Sequence, residues 1–235
     1  MYNDKKILAI IPARGGSKRL KNKNILKLGD KPLVSWTIEA SINSKYIDET
    51  VVSSDLDKIL DIANGYGLNP LKRPGYLAQD ITTSIDVVIH TIDFYRQEKF
   101  EEFDYIILLQ PTSPFRNYKH IDEAIESLFS KNADAVISVC ESEHSPIWTN
   151  TLKPSLCMEN FIDKRYLNYR SQDLDTFYRL NGAIYICNIE KLLKEKTLFI
   201  EKNIFAYKMS QEDSVDIDTK LDFLVAQVII KEKNE

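Results

Sequence analysis

A chain of 235 residues, 43% of them apolar, is long enough for one large α/β domain with a full core. Its net charge of −4 argues against a general nucleic-acid binder, which needs a wide basic surface. The three cysteines, Cys140, Cys157 and Cys187, are odd in number and widely spaced, so neither a disulfide framework nor a zinc site is expected. Free thiols in a reducing cytoplasm are expected instead, two of them buried in apolar strand-like runs. The first residues lead into an apolar run too short for a signal peptide or a membrane span, so a cytoplasmic protein with no membrane partner is expected.

In chain order, residues 7–11 read as a buried strand that stops at Pro12. The loop that follows carries Gly15 and Gly16 among the cations Arg14, Lys18, Arg19, Lys21 and Lys23. Glycines let backbone N–H groups approach phosphate oxygens, and cations offset the charge that builds on phosphates during transfer. A solvated basic face with a glycine turn is the competing explanation. Neither the Walker A pattern nor the dinucleotide G-x-G-x-x-G fingerprint occurs.

Leu33, Val34, Thr37, Ile38 and residues 40–42 suit an amphipathic helix behind Pro32. Residues 50–53 form a short strand, and Asp55 is placed to cap the next helix, which carries Leu56, Ile59, Leu60 and Ala63 on one face and ends at Gly65 and Gly67. A weaker strand, 68–73, breaks at Pro74-Gly75. A helix over about 84–97 has Ile85, Val88, Ile89, Ile92 and Tyr95 at helical spacing. Residues 105–109 are a continuous buried strand ending in Gln110-Pro111-Thr112-Ser113-Pro114-Phe115-Arg116. A helix marked by Ile121, Ala124, Ile125, Leu128 and Phe129 leads to a strand at 133–140. From 141 to about 180 regularity fails in a polar, aromatic stretch. A strand at 182–187, a short helix at 189–194, a strand at 205–209 and a final helix at 221–230 complete the chain.

This alternation predicts a mostly parallel sheet with helices on both faces, and ligands on such sheets bind beyond the carboxyl ends of the strands. That rule gathers Arg14, Lys18, Lys23, Gln110 and Arg116 on one side. Segment 141–180 is too long for an ordinary connection and reads as an insertion that covers the site, docks on a second subunit, or both. Asp216 and Asp218, with one residue between them, point to one face of an extended segment. That arrangement suits a hard cation; a cap on the last helix is the alternative.

Ala13-Arg14-Gly15-Gly16-Ser17-Lys18, followed by Lys23-Asn24, resembles the signature loop of the acylneuraminate cytidylyltransferases, the CMP-sialic acid synthetases. Lys72-Arg73-Pro74 with Leu77-Ala78-Gln79-Asp80, Gln110-Pro111-Thr112-Ser113-Pro114 with Arg116, Asn181-Gly182-Ala183-Ile184-Tyr185 and Asp216-Ile217-Asp218 resemble further blocks of that family in the same order, over nearly the whole chain. The resemblance implies a Rossmann-like nucleotidyltransferase sheet in a single domain, 1–235. The inserted segment 141–180 would cover the sugar site and contact the other half of a homodimer. It also implies a reaction: CTP and a nine-carbon 2-keto sugar acid give the CMP-sugar and pyrophosphate, assisted by Mg²⁺, with the anomeric hydroxyl attacking the α-phosphorus.

Carried onto this sequence, Arg14, Ser17, Lys18, Lys23 and Asn24 match the triphosphate loop. Arg14 and Lys18 would hold the β- and γ-phosphates, and Lys23 would sit nearer the α-phosphate. Arg19 stands where glycine is frequent and reads as a solvent-exposed cation. Arg73, Thr82 and Ser84 resemble the segment that contacts ribose and cytosine, although Ser84 equally suits a helix cap and Asp80 a turn cap. Gln110, Arg116 and Asn181 resemble the sugar-contacting positions, with Arg116 alternatively a support for its own loop. Asp216 and Asp218 match the metal carboxylates. Arg170 is the candidate for the sugar carboxylate, because a guanidinium offers bidentate pairing. Around it, Arg170-Ser171-Gln172-Asp173-Leu174 departs from the family's R-Q-x-L-P and resembles pseudaminic acid enzymes, whereas Asn181-Gly182-Ala183-Ile184-Tyr185 resembles sialic or legionaminic acid enzymes. The acceptor therefore stands as N-acetylneuraminic acid, with legionaminic or pseudaminic acid as the alternative. A sugar-1-phosphate nucleotidyltransferase is more distant, and a non-enzymatic nucleotide sensor is the reading from another class.

Overall fold

A computed structural model describes residues 2–234. Strand β1 (Ile7–Pro12) is fully buried through Ile11, and its side chains alternate between two cores. Ile7, Ala9 and Ile11 face one cluster with α1 (Leu33–Ile42), α2 (Asp57–Gly65) and α4 (Tyr118–Ser130); Leu8 and Ile10 face another with α3 (Ser84–Phe94) and α5 (Ile189–Glu195). A strand buried on both faces reads as a continuous apolar run, which is how residues 7–11 and 105–109 appear in the sequence.

The seven-stranded sheet has the order β5-β4-β1-β6-β8-β7-β9. Its members are β4 (Glu49–Ser54), β5 (Leu71–Lys72), β6 (Tyr105–Leu108), β7 (Ala135–Glu141), β8 (Tyr178–Asn188) and β9 (Ile204–Met209), beside β1. A separate hairpin pairs β2 (Lys27–Leu28) with β3 (Lys31–Pro32). All pairings in the large sheet are parallel except those of β8, which runs antiparallel to both β6 and β7. The sheet is therefore mostly parallel, as the element order predicts.

The reversal of β8 has a local consequence. Its first residues, not its last, lie at the carboxyl edge of the other strands. The register with β7 jumps there: Ile137 pairs with Tyr185 but Val139 with Leu180, so residues 181–184 bulge toward that edge. Gly182 adopts φ +73°, a backbone conformation that favours glycine, and it lies beside the Gln110 side-chain amide.

Several end signals differ from expectation. Asp55 does not cap α2; its carboxylate accepts the Gly15 N–H at 2.9 Å. Thr83, not Ser84, caps α3 in a reciprocal box with Asp86. The helix then continues as a π-turn over Tyr95–Lys99. Neither Asp216 nor Asp218 caps the last helix, α6 (Lys220–Asn234): Asp222 accepts the N–H groups of Asp218 and Thr219, and its own N–H donates to the Thr219 hydroxyl. Segment 141–180 contains only short 3-10 turns before β8, and Glu143 and Arg179 close its base in a two-point ion pair. Arg179 holds the Glu143 carboxyl down at about 2. Among the described residues no helix is long and apolar enough to cross a membrane.

Candidate active site

The loops after β1 and β6 and the segment before α6 enclose an open cleft of about 420 Å³ at the carboxyl edge. Arg14, Ser17, Lys18, Lys23 and Asn24 line it from the basic loop, Arg73, Thr82 and Ser84 from the segment leading to α3, Gln110 and Thr112 from the end of β6, and Asp218 from the far side. Chemistry assigned to positions two hundred residues apart in the chain thus meets in one place.

Segment 215–218 is fixed at both ends of its middle residue. The Ile217 N–H donates to the Thr112 carbonyl at 2.8 Å, and the Ile217 carbonyl accepts Lys23 Nζ at 2.7 Å. The Ile217 side chain is buried in a third apolar cluster with Leu28, Leu33, Phe115, Ala226 and Ile230. That anchor turns Asp216 and Asp218 the other way, as alternation in an extended segment requires. Asp218 receives Lys23 Nζ on Oδ1 and Arg19 Nη2 on Oδ2, each at 2.9 Å. Asp216 is exposed at its surface yet surrounded closely enough by protein to be partly desolvated. Desolvation raises its pKa, the Thr112 hydroxyl lowers it, and the neighbouring Asp218 charge raises it further.

Lys23 is the most enclosed of the loop cations, with only 11% of its side chain exposed. Arg14 Nη1 reaches the Asp80 carboxylate at 3.0 Å and the Gln79 carbonyl at 3.3 Å, and Lys18 Nζ reaches the other Asp80 oxygen at 2.5 Å. Asn24 is buried and donates its amide to the Arg14 carbonyl, so it shapes the loop that it also lines. The Gly15 N–H is taken by Asp55 and is not free for phosphate. Gly15 is required for another reason: a Cβ there would lie 2.9 Å from Leu56 Cβ. Gly16 has nothing within 4 Å of a virtual Cβ and faces open space. Arg73 is buried and bonds the Ser53 carbonyl at 2.7 Å, its hydroxyl at 3.2 Å and the Leu77 carbonyl at 3.4 Å; burial lowers its pKa to about 10. Thr82 bonds the Tyr76 carbonyl, and Ser84 sits exposed at the first turn of α3.

Three residues expected to meet the sugar lie elsewhere. Arg116 is 1% exposed beneath the cleft, where it bonds Thr37 Oγ1 at 2.8 Å and the carbonyls of Gln110 and Ala183. Burial without a carboxylate partner pulls its pKa to about 9. It supports its loop, the alternative left open above. Asn181, also 1% exposed, spends its amide inside the protein: Nδ2 donates to Ser214 Oγ and Met209 Sδ, and Oδ1 accepts from Ser138 Oγ and the Ala183 N–H. It holds the β8 bulge and the approach to segment 215–218, not a ligand. Arg170 stands in the insertion away from the cleft, 72% exposed and paired with Asp173.

Arg19, Asp80 and Asp55 are the site residues that the sequence reading undervalued. Their roles come from long-range pairing, for which the sequence holds no spacing signal.

A sequence model described as "Cytidylyltransferase" matches residues 8–230, almost the whole chain. The chain belongs to the cytidylyltransferase family. It is 38% identical over 230 residues to an N-acylneuraminate cytidylyltransferase of Escherichia coli, covering 97% of this chain but 53% of that protein, so it spans about half the length of that relative. It is 35% identical to a CMP-N,N'-diacetyllegionaminic acid synthase of Legionella pneumophila, with 98% of both chains covered. It is 32% identical to a pseudaminic acid cytidylyltransferase of Campylobacter jejuni, again over 98% of both. A solved CMP:2-keto-3-deoxy-manno-octonic acid synthetase complexed with CTP shares the fold: TM-score 0.72 at 14% identity, covering 97% of this chain and 99% of that one. Within that fold the basic loop and Asp218 meet in one cleft, in direct contact through Lys23 and Arg19.

Proposed function

We propose that this protein transfers CMP from CTP to the anomeric 2-hydroxyl of a nonulosonic acid, releasing pyrophosphate, with N-acetylneuraminic acid as acceptor. The observation that carries the reading is the contact of Lys23 with Asp218 in the cleft that Arg14 and Lys18 also line. The cations that line the cleft suit a triphosphate, and the Asp218 carboxylate among them suits a metal ion bound with it.

Asp216 and Asp218 are the residues that would hold Mg²⁺. Both offer hard oxygen donors, both face away from the Ile217 anchor, and Asp218 already attracts cations to each oxygen. Among the described residues no group of three or more His, Cys, Asp or Glu side chains is arranged for a metal, so the ion would have to complete its shell with water and phosphate oxygens. When bound, the ion supplies Lewis acidity toward the phosphates and lowers the pKa of the attacking hydroxyl. The chain's own residues do the rest. Arg14 and Lys18 receive the β- and γ-phosphates and stabilise the departing pyrophosphate. Lys23, enclosed and fixed by the Ile217 carbonyl, meets the charge that shifts at the α-phosphate. Arg73, Thr82 and Ser84 flank the nucleoside. Gln110, pressed against Gly182, presents its amide to the sugar, and Arg116 and Asn181 brace that contact from below.

Segment 141–180 exposes Leu152, Leu156, Met158 and Leu167, an apolar surface that suits contact with a second copy and a cover over the sugar side. Legionaminic acid is the second reading of the acceptor, supported by the end-to-end match to the Legionella synthase. Pyrophosphate release is the test, with CTP against the other triphosphates and with N-acetylneuraminic, legionaminic and pseudaminic acids beside a sugar 1-phosphate. Release is expected with CTP and a nine-carbon acid; release only with the sugar 1-phosphate would overturn the proposal.

A further inference from the structure

The loop cations that line the cleft are already held by carboxylates of this chain. Arg19 and Lys23 take the two oxygens of Asp218, and Arg14 and Lys18 take the two oxygens of Asp80. Asp218 has a part in the reaction; Asp80 has none so far. It lies on the connection between the 3-10 turn at Gly75–Leu77 and α3, lines the cleft and is exposed. Its carboxylate bridges a guanidinium and an ammonium, the pairing that a phosphate oxygen pair would make at the same place. Lys18 and Arg14 hold its carboxyl below the usual carboxylate range, so it is ionised at neutral pH. A triphosphate and Asp80 therefore require the same two cations and repel each other.

We infer that Asp80 is an internal competitor for polyphosphate: it occupies Arg14 and Lys18 in the free protein, is displaced by the β- and γ-phosphates, and returns as pyrophosphate leaves. The inference rests on the CTP reading. It assigns Asp80 the opposite sign from a supporting residue, because removing its charge tightens binding of substrate and product. The cost of breaking an exposed ion pair is small, so the change is a modest factor.

Calorimetric binding of CTP and of inorganic pyrophosphate, both with magnesium, is compared for the unaltered chain, Asp80→Asn and Asp163→Asn. Asp163 pairs with Arg165 in the insertion, so its variant makes the same charge change away from the cleft. Asp80→Asn is expected to bind both ligands roughly three- to tenfold more tightly, as loss of two exposed pairs allows, with Asp163→Asn unchanged. Equal or weaker binding by Asp80→Asn would overturn the inference, and so would equal tightening in Asp163→Asn, which would trace the effect to net charge. Failure of the unaltered chain to bind CTP would count against the proposed function instead, and the pyrophosphate arm would still decide the role of Asp80.

Discussion

Replacing Lys23 with alanine is expected to lower kcat/KM for CTP by about 10²–10³, the usual cost of losing one donor placed at developing charge. The expectation follows from how Lys23 is held. Its stem is enclosed, and its ammonium is fixed by the Ile217 carbonyl at 2.7 Å and the Asp218 carboxylate at 2.9 Å before any substrate arrives. A cation in that setting needs little reorganisation when charge shifts at the α-phosphate, so most of the loss falls on kcat and less on KM. Lys18, exposed at the mouth, has no such enclosure. Steady-state pyrophosphate release, with circular dichroism to check the fold, measures this; near-normal turnover would remove Lys23 from the reaction.

Asp218→Ala is expected to lower kcat/KM by more than about tenfold through loss of a metal-holding carboxylate. Its signature differs from that of Lys23. Removing Asp218 frees Arg19 and Lys23 from their carboxylate and leaves the cleft more positive. CTP itself should therefore bind as well as before or better, while kcat collapses. A rise in KM with kcat preserved would mean that Asp218 merely anchors the loop cations.

Much of this fold was legible in the sequence because burial on both faces leaves an unmistakable trace. Strands β1 and β6 appear as unbroken apolar runs, and α3 and α4 as helical spacing. The direction of β8 was not legible: an apolar run buried on both faces reads the same either way, and the reversal shows only in its register, from Tyr105 with Asn188 to Leu108 with Tyr185 and likewise against β7. Caps were misassigned where two capping residues adjoin, although Thr83-Ser84-Ile85-Asp86 and Thr219-Lys220-Leu221-Asp222 both carry the spacing of a reciprocal box.

The site divides along the same line. Residue type points to the basic loop, and it meets Asp218 in the cleft; spacing alone suits a helix cap for Asp216 and Asp218 as well as a cation site, and the family resemblance is what favours the cation. Asn181 resembles a sugar-contacting position because a polar residue inside a distinctive block looks the same whether it touches a ligand or satisfies buried groups, and Arg116 takes the loop-supporting role that the sequence leaves open. Each here is fully buried and bonded to carbonyls, hydroxyls or amides of the protein. Asp80 and Asp55 read as local caps, and no spacing reveals their actual partners, Arg14, Lys18 and Gly15, which lie on another loop.

One comparison bears most directly on the claim that the cationic loop and the C-terminal carboxylates serve a single magnesium triphosphate. It is the double-mutant cycle on kcat/KM of pyrophosphate release from Lys23→Ala, Asp218→Ala and the two combined. Residues that act as one unit are strongly non-additive, so the combined variant should lose little more than the worse single variant. Losses that multiply would mean that the two side chains act independently, and the shared site would have to be abandoned.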